Sequence, residues 1–258
     1  MKKILKIASI QTALHWEDKL QNVTKFTNLF KQIEAGTDLV VLPEMFTTGF
    51  SMKPEKFAER MSGDTLMWLS VMANTYKFVI CGSIILKEQN QFYNRFVWVQ
   101  PDGMILHYDK KHLFTLAHEE AHYSAGEKQV TIEYEGWKIR PAICYDLRFP
   151  TWLRNHVNEN IYDYDILIIP ANWPERRNTA WKTLLQARAI ENQAYVIGVN
   201  RIGDDGNQIY HSGDSMSCDA LGEILYQTTH EEKINYMDYE YDKLYEIRNN
   251  LPFLKDEK

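Results

Sequence analysis

The chain has 258 residues, 45% of them apolar, and a formal net charge of −6. It is long enough to bury a sizeable core, and its scattered lysines and arginines argue against binding to nucleic acid or to an anionic membrane. Its three cysteines, Cys81, Cys144 and Cys218, lie far apart without a CxxC pair. This spacing predicts neither a disulfide framework nor a zinc ribbon, and it indicates a reduced, cytosolic protein.

Apolar periodicity in the first half of the chain predicts alternating strands and helices. Because Lys6 interrupts the first apolar run, we interpret that run as a strand and not as a signal peptide. Pro43 is expected to end the second strand, and Gly36 to cap the helix before it. Strands are predicted at residues 4–11, 38–42, 78–86, 93–100 and 104–108, and helices at residues 18–35 and 65–76.

The second half continues in the same way. Strands are predicted at residues 130–134, 138–143, 164–169, 194–200, 215–219, 223–226 and 234–239, and helices at residues 149–155, 178–193 and 241–248. Pro170 is expected to stop the strand before it. No apolar stretch approaches the ~20 residues that span a bilayer. Because many strands pair as hairpins, the sequence predicts a mixed sheet system with helices outside it, in one domain over residues 1–258.

Reactive side chains follow three of these strands. Glu44 comes after residues 38–42, Lys110 after residues 104–108, and Cys144 after residues 138–143. Active sites of α/β proteins gather at the carboxyl ends of strands. A Cys thiolate can attack an acyl carbon, a Glu can carry the thiol proton to a leaving amine, and a Lys can stabilise the negative charge that develops. The three together therefore predict covalent acyl transfer.

Each residue also has an ordinary structural interpretation when it is taken alone. A free cysteine is commonly a small buried hydrophobe, which is our interpretation of Cys81 and Cys218. Glu44 alone fits a loop carboxylate, and Lys110 alone fits the surface. His112 fits a general base as well as it fits packing beside its apolar neighbours. Only their joint position at strand ends favours chemistry.

Three sequence blocks strengthen the chemical interpretation. Leu-Pro-Glu at residues 42–44, Tyr-Asp-Lys-Lys-His-Leu-Phe at residues 108–114 and Ile-Cys-Tyr-Asp-Leu-Arg-Phe at residues 143–149 resemble the signature blocks of the nitrilase superfamily, the carbon–nitrogen hydrolases. They occur in the family's order and at familiar spacings. With the segments at residues 187–194 and 213–215, the resemblance covers nearly the whole chain.

The resemblance implies an α/β fold, a four-layer αββα sandwich, with a Glu-Lys-Cys triad. In that triad Glu44 is the general base, Lys110 stabilises the oxyanion and Cys144 is the nucleophile. The family also has a second glutamate, for which Glu119 and Glu120 compete. We choose Glu119, which precedes Gly126 by the family's interval. The resemblance implies no cofactor and no metal, and it implies a homodimer or larger homo-oligomer.

The blocks are most similar to those of bacterial omega-amidases, which hydrolyse the terminal amide of 2-oxoglutaramate or 2-oxosuccinamate through a cysteine thioester. That resemblance implies that the backbone N–H of Tyr145 contributes to the oxyanion hole and that Asn172 and Trp173 line the acyl pocket. The substrate's distal carboxylate requires a cationic partner. Further candidates for substrate binding are Phe114, Arg148, Arg176 and Arg177, and the sequence does not choose among the arginines.

Three alternatives remain. An N-carbamoyl-amino-acid hydrolase or a deaminated-glutathione amidase would share the triad, and a non-catalytic binding protein could share the scaffold without using it. His118-Glu-Glu-Ala-His122 also matches the HExxH zinc motif. That motif needs a helix to place both histidines on one face and a third ligand. The flanking residues leave room for little more than two turns, so we interpret this match as a coincidence.

Overall fold

The structure is a computed structural model that describes residues 1–256. Its strands are β1 (Ile4–Gln11), β2 (Leu39–Val41), β3 (Val79–Glu88), β4 (Gln91–Val99), β5 (Ile105–Asp109), β6 (Ile132–Tyr134), β7 (Trp137–Pro141), β8 (Val157–Asn158), β9 (Ile161–Tyr162), β10 (Ile166–Ala171), β11 (Tyr195–Asn200), β12 (Ile202–Asp204), β13 (Tyr210–Cys218), β14 (Ile224–Thr229) and β15 (Lys233–Glu240). Its helices are α1 (Lys19–Phe30), α2 (Pro54–Phe57), α3 (Asp64–Tyr76), α4 (Pro150–Leu153), α5 (Asn178–Asn192) and α6 (Tyr241–Asn250).

Two large sheets carry most of these strands. The first has the order β15-β1-β2-β3-β4-β5, in which β1, β2 and β3 are parallel and the other pairs are antiparallel. The second has the order β12-β13-β11-β10-β7-β6, with β14 beside β13. Strands β7, β10 and β11 are parallel at its centre. Each sheet is therefore mixed, as predicted, and it has a parallel centre with antiparallel edges.

Alternating side chains of the central strands divide the apolar core into layers. In β2, Leu39 and Val41 belong to a core shared by the two sheets, whereas Val40 packs with helices α1 and α3. In β10, Ile166 and Ile168 belong to the shared core, whereas Leu167 and Ile169 pack with helix α5. Such strands are buried on both faces, which explains their almost continuous apolar sequence. The layers run helix, sheet, sheet, helix, and the predicted αββα sandwich is confirmed.

Several predicted boundaries were wrong for local reasons. The first helix begins after Asp18, whose carboxylate accepts a hydrogen bond from the backbone of Gln21 at 3.0 Å, but it ends at Phe30 and Gly36 lies in a later turn. Pro170 does not stop β10, because there it pairs with Val199 of a parallel neighbour within the strand. The predicted helix at residues 149–155 is only the single turn α4. Strands β8, β9 and β12 and helix α2 are too short to give a periodic signal.

Cys81 and Cys218 lie on β3 and β13, and both are buried and unpaired, as expected. Burial raises the pKa of both thiols. Within residues 1–256 no helix combines the length and the apolar character that crossing a bilayer would require.

Candidate active site

Four strand ends open into one cavity of about 630 Å³. Glu44 follows β2, Lys110 follows β5, Cys144 follows β7 and Asn172 follows β10, and all four line the cavity. The first two strands belong to one sheet and the last two to the other. The cavity therefore lies where the carboxyl ends of strands from both sheets meet. The sequence analysis predicted reactive side chains at such strand ends.

Lys110 lies between two buried carboxylates. Its Nζ is 3.0 Å from Glu44 Oε1 and 2.9 Å from Glu119 Oε2, and all three side chains are at most 1% exposed. Burial alone would lower the pKa of Lys110, but the charges of Glu119 and Glu44 outweigh it and raise that pKa above its usual value. Lys110 is therefore a permanent cation at neutral pH. Burial raises the pKa of Glu119, and Lys110 opposes that rise.

Hydrogen bonds hold both oxygens of Glu44. Oε1 accepts from Lys110 Nζ and, at 2.7 Å, from Asn94 Nδ2. Oε2 accepts from the backbone N–H of Asn172 at 2.8 Å. The side-chain amide of Asn172 also donates to the backbone oxygen of Glu44 at 2.6 Å. This carboxylate is therefore fixed in the cavity wall by groups from β4, from the end of β5 and from the end of β10.

Cys144 starts a sharp 3₁₀ turn, Cys144–Arg148. Its φ of 43° lies in the left-handed region, which is costly for a residue with a side chain and marks functional turns. The turn leaves the thiol partly exposed in the cavity wall, beside Glu44 and the backbone N–H of Asn172. Burial and the charge of Glu44 raise the pKa of the thiol, and Lys110 opposes them only in part. The resting side chain is therefore a thiol, and its proton needs an acceptor.

Asp146 braces this turn. Its Oδ2 accepts from the backbone N–H of Ile143 at 3.0 Å and from the Tyr108 hydroxyl at 2.8 Å. Its Oδ1 accepts from the backbone N–H of His112 at 2.8 Å and lies 2.8 Å from Nδ1 of the same residue. The His112 ring also stacks on Phe149, with centroids 3.7 Å apart. His112 therefore has a packing role, and through Asp146 it helps to hold the turn that carries Cys144.

All residues that the sequence nominated for substrate binding line the cavity: Phe114, Tyr145, Arg148, Asn172, Trp173 and Arg176, together with Arg177. The guanidinium of Arg148 lies 4.8 Å from the Trp173 ring centroid, and that of Arg177 lies 5.0 Å from the Phe114 ring centroid. Within residues 1–256 none of the three arginines forms an ion pair. One side of the cavity therefore carries three neighbouring arginines that have no salt-bridge partner among the described residues.

The structure also distinguishes Glu119 and Lys110 from the residues that follow them, Glu120 and Lys111. Glu119 is fully buried on Lys110, whereas Glu120 is exposed. Lys110 is buried in the cavity, whereas Lys111 lies outside it with its ammonium 5.3 Å from the Trp152 ring centroid. Lys111 is half-buried, because its side chain covers this aromatic ring.

The HExxH match does not lie on an α-helix. Residues 115–121 form two short 3₁₀ turns separated at His118, whose φ is 55°. The His118 side chain is 82% exposed, whereas Glu119 is buried. The two histidines of the motif therefore do not share a helix face with each other. Among residues 1–256 no group of three potential metal ligands is present.

The sequence did not nominate several lining residues. Phe50 and Met52 follow the Glu44 loop, Asp205 and Asn207 come from the β12–β13 connection, and His211 lies near the start of β13. The Lys110 ammonium lies 5.0 Å from the centroid of the Phe50 ring. The connection reaches the cavity through tertiary packing, because Gly206 fits closely against Trp16. No local pattern marks such residues, although a polar loop directly after a buried strand is a weak signal.

Known proteins resemble this chain over most of its length. A family model for carbon–nitrogen hydrolases matches residues 6–249. The omega-amidase YafV of Yersinia enterocolitica is 47% identical over 223 residues, which are 86% of this chain and 84% of that protein. The 2-oxoglutaramate amidase of Bacillus subtilis (strain 168) is 30% identical over 253 residues, which are 97% of this chain and 96% of that protein.

A solved structure has the same fold. A CN-hydrolase superfamily protein from Xanthomonas campestris, with an arsenic adduct in its active site, is 38% identical and has a TM-score of 0.97, and the match covers 100% of this chain and 98% of that one. The sequence blocks, the cavity and these relatives agree. The chain belongs to the carbon–nitrogen hydrolase family, and it is an enzyme of the nitrilase superfamily.

Proposed function

We propose that this enzyme is an omega-amidase, which hydrolyses the terminal amide of a 2-oxo dicarboxylic acid monoamide, such as 2-oxoglutaramate or 2-oxosuccinamate, to the 2-oxo acid and ammonia. The observation that carries the proposal is a thiol beside a buried Glu–Lys–Glu cluster, in a cavity that also holds three arginines without a salt-bridge partner among the described residues. The relatives named omega-amidase and 2-oxoglutaramate amidase support the same substrate class.

In the proposed acylation step, Sγ of Cys144 attacks the amide carbon while Glu44 accepts the thiol proton. Lys110 Nζ and the backbone N–H of Tyr145 stabilise the oxyanion of the tetrahedral intermediate. This N–H makes no backbone hydrogen bond within residues 1–256, so it is available to a ligand. The intermediate collapses when the C–N bond breaks and Glu44 protonates the nitrogen. Ammonia leaves, and a thioester remains on Cys144.

In the proposed deacylation step, a water molecule enters the place that ammonia has left. Glu44 accepts a proton from this water as its oxygen attacks the thioester carbon. The C–S bond breaks, the proton returns from Glu44 to sulfur, and the 2-oxo acid leaves. Glu119 takes no proton in either step. Its charge keeps Lys110 protonated and, with Glu44, fixes where the ammonium lies.

We propose that the unpaired arginines receive the substrate's carboxylate. Arg148→Gln, Arg176→Gln and Arg177→Gln are each expected to leave kcat within a few-fold, and the variant that loses the direct contact should raise KM about 10- to 100-fold, the range for a hydrogen bond to a charged group. Arg60→Gln is the matched control, because Arg60 is an exposed arginine outside the cavity. Unchanged KM in all three cavity variants would contradict this carboxylate site.

An ammonia-release panel tests the function itself. The compounds are 2-oxoglutaramate, 2-oxosuccinamate, glutamine, an N-carbamoyl amino acid and a simple nitrile. An omega-amidase is expected to turn over the first two with the highest kcat/KM. Glutamine should be poorer, because its α-ammonium group would approach the three arginines of the cavity. Release of ammonia from the carbamoyl compound alone would instead identify an N-carbamoyl-amino-acid hydrolase, and no release from any compound would favour a binding protein.

Further parts of the proposal concern the molecule as a whole. We propose a single catalytic domain over residues 1–258, supported by the core that both sheets share. We also propose a homodimer or larger assembly that works in the cytosol without a cofactor. Sedimentation at micromolar concentration measures the assembly directly, and a purely monomeric enzyme with full activity would contradict that part.

A further inference from the structure

Asn94 connects both glutamates of the site, although it neither lines the cavity nor reaches the thiol. It lies on β4 and is fully buried. Its Nδ2 donates to Glu44 Oε1 at 2.7 Å and makes a longer bond to Glu119 Oε1 at 3.4 Å. Its backbone oxygen accepts from the backbone N–H of Lys110 at 3.0 Å. One residue thus contacts every charged member of the cluster.

A second buried residue fixes the orientation of the Asn94 amide. The Ser83 hydroxyl donates to Asn94 Oδ1 at 2.8 Å and itself accepts from the backbone N–H of Met45 at 2.8 Å. Because Met45 is the residue after Glu44, this chain of hydrogen bonds begins and ends on the same loop. A flipped amide would place its oxygen against two carboxylates and lose the Ser83 bond, so only one orientation fits.

The consequence is an asymmetry between the two oxygens of Glu44. Two donors, Lys110 Nζ and Asn94 Nδ2, occupy Oε1. Oε2 has one protein donor, the backbone N–H of Asn172. An ionised carboxylate oxygen offers two lone pairs, so Oε1 is saturated and Oε2 keeps one free. Only Oε2 is therefore equipped to take a proton from the thiol or from water.

We propose that Asn94 is the positioning residue of the catalytic base: by occupying Oε1 of Glu44, and with Ser83 fixing its amide, it makes Oε2 the single atom that shuttles the proton. This inference rests on the proposed role of Glu44. It predicts two effects of losing the Asn94 donor. The ionised carboxylate of Glu44 becomes less stable, and that carboxylate can rotate.

The groups that face Glu44 define what a pH profile would report. They are Lys110 after β5, Glu119 on its 3₁₀ turn, Cys144 after β7, and the Tyr123 phenol beyond Glu119. Burial and the two glutamates raise the pKa of Tyr123, so it stays neutral and does not titrate at low pH. The acid limb of activity therefore belongs to the cluster as a whole, and its ionised form is the active one.

The test compares Asn94→Leu with the wild type in two pH profiles, one of kcat/KM and one of the rate at which iodoacetamide alkylates Cys144. Loss of the donor disfavours the ionised form of the cluster, so both acid limbs should move towards higher pH. The plateau of kcat/KM should fall about 10-fold or more, with KM nearly unchanged. Mass spectrometry assigns the alkylation to Cys144, since Cys81 and Cys218 are buried.

Asn155→Leu is the matched control. Asn155 is also a fully buried asparagine whose Nδ2 donates twice and whose Oδ1 accepts once, but its partners are Tyr164 and Asn192, away from the cavity. It should lower stability without moving either acid limb. Ser83→Ala changes little volume and releases the Asn94 amide, so it should shift both limbs in the same direction by less.

Unshifted limbs in Asn94→Leu, or in Ser83→Ala where Asn94→Leu does not fold, would overturn the positioning role. The two readouts also separate this inference from the function on which it rests. If no 2-oxo amide is turned over, the alkylation profile still reports the Glu44–Cys144 pair. A shifted alkylation limb in an enzyme without amidase activity would keep the role of Asn94 and reject the proposed substrate.

Discussion

Replacement of Cys144 by alanine is expected to abolish ammonia release, with kcat reduced at least about a thousandfold. The side chain supplies the atom that forms the thioester, and within residues 1–256 no other cysteine, serine or threonine lines the cavity. Stability should fall much less than activity, since Cys144 is only partly buried and the substitution removes a single sulfur atom. Steady-state ammonia release and thermal unfolding of the same preparations measure both effects.

Cys144→Ser sharpens this prediction. A hydroxyl has a much higher pKa than a thiol, so Glu44 cannot deprotonate it effectively and the variant should be nearly as inactive as Cys144→Ala. Cys218→Ala is the control, because that cysteine is buried on β13 away from the cavity. The covalent route requires that mass spectrometry of a quenched wild-type reaction detect an acyl adduct on Cys144. Turnover by Cys144→Ala at more than a few per cent of the wild-type rate would exclude that route.

The sequence predicted the strand-end members of the site because their positions follow from local patterns. Glu44, Lys110 and Cys144 each come directly after an apolar run, and parallel strands bring their carboxyl ends to one edge of a sheet. The mixed sheets with helices outside them followed from the same patterns, because β2 and β10 are apolar at every position and must be covered on both faces. The four-layer order came from the family resemblance. These inferences needed no knowledge of long-range contacts.

Other features could not be predicted because tertiary contacts decide them. Asn94 sits inside a strand and reads as an ordinary polar position, and only the approach of two glutamates makes it part of the site. Asp205 and Asn207 reach the cavity through a loop that packs on Trp16. The left-handed conformation of Cys144 also could not be predicted from the local sequence. Its conformational strain is offset by the hydrogen bonds that Asp146 accepts around the turn.

Replacement of Lys110 by alanine is expected to lower kcat/KM by about 10²- to 10³-fold or more, whereas Lys111→Ala should stay within a few-fold of the wild type. Lys110 supplies the only buried cation between Glu44 and Glu119 among the described residues, and we propose that it also stabilises the oxyanion. Lys111→Ala removes the same charge from the next position, but Lys111 lies over Trp152 outside the cavity. The pair therefore separates position from charge.

Loss of Lys110 also leaves two buried carboxylates without their cation, which costs about 3–5 kcal/mol of stability for a broken buried pair. A folded but inactive protein must therefore be distinguished from an unfolded one. Lys110→Met combined with Glu119→Gln removes one positive and one negative charge together, so it should fold better than Lys110→Ala and remain inactive, because no cation faces the substrate oxygen. Near-UV circular dichroism measures the fold and ammonia release measures the rate. Recovery of activity in the double variant would show that Lys110 acts only by balancing charge, and a larger loss in Lys111→Ala than in Lys110→Ala would show that the neighbouring lysine is the catalytic one.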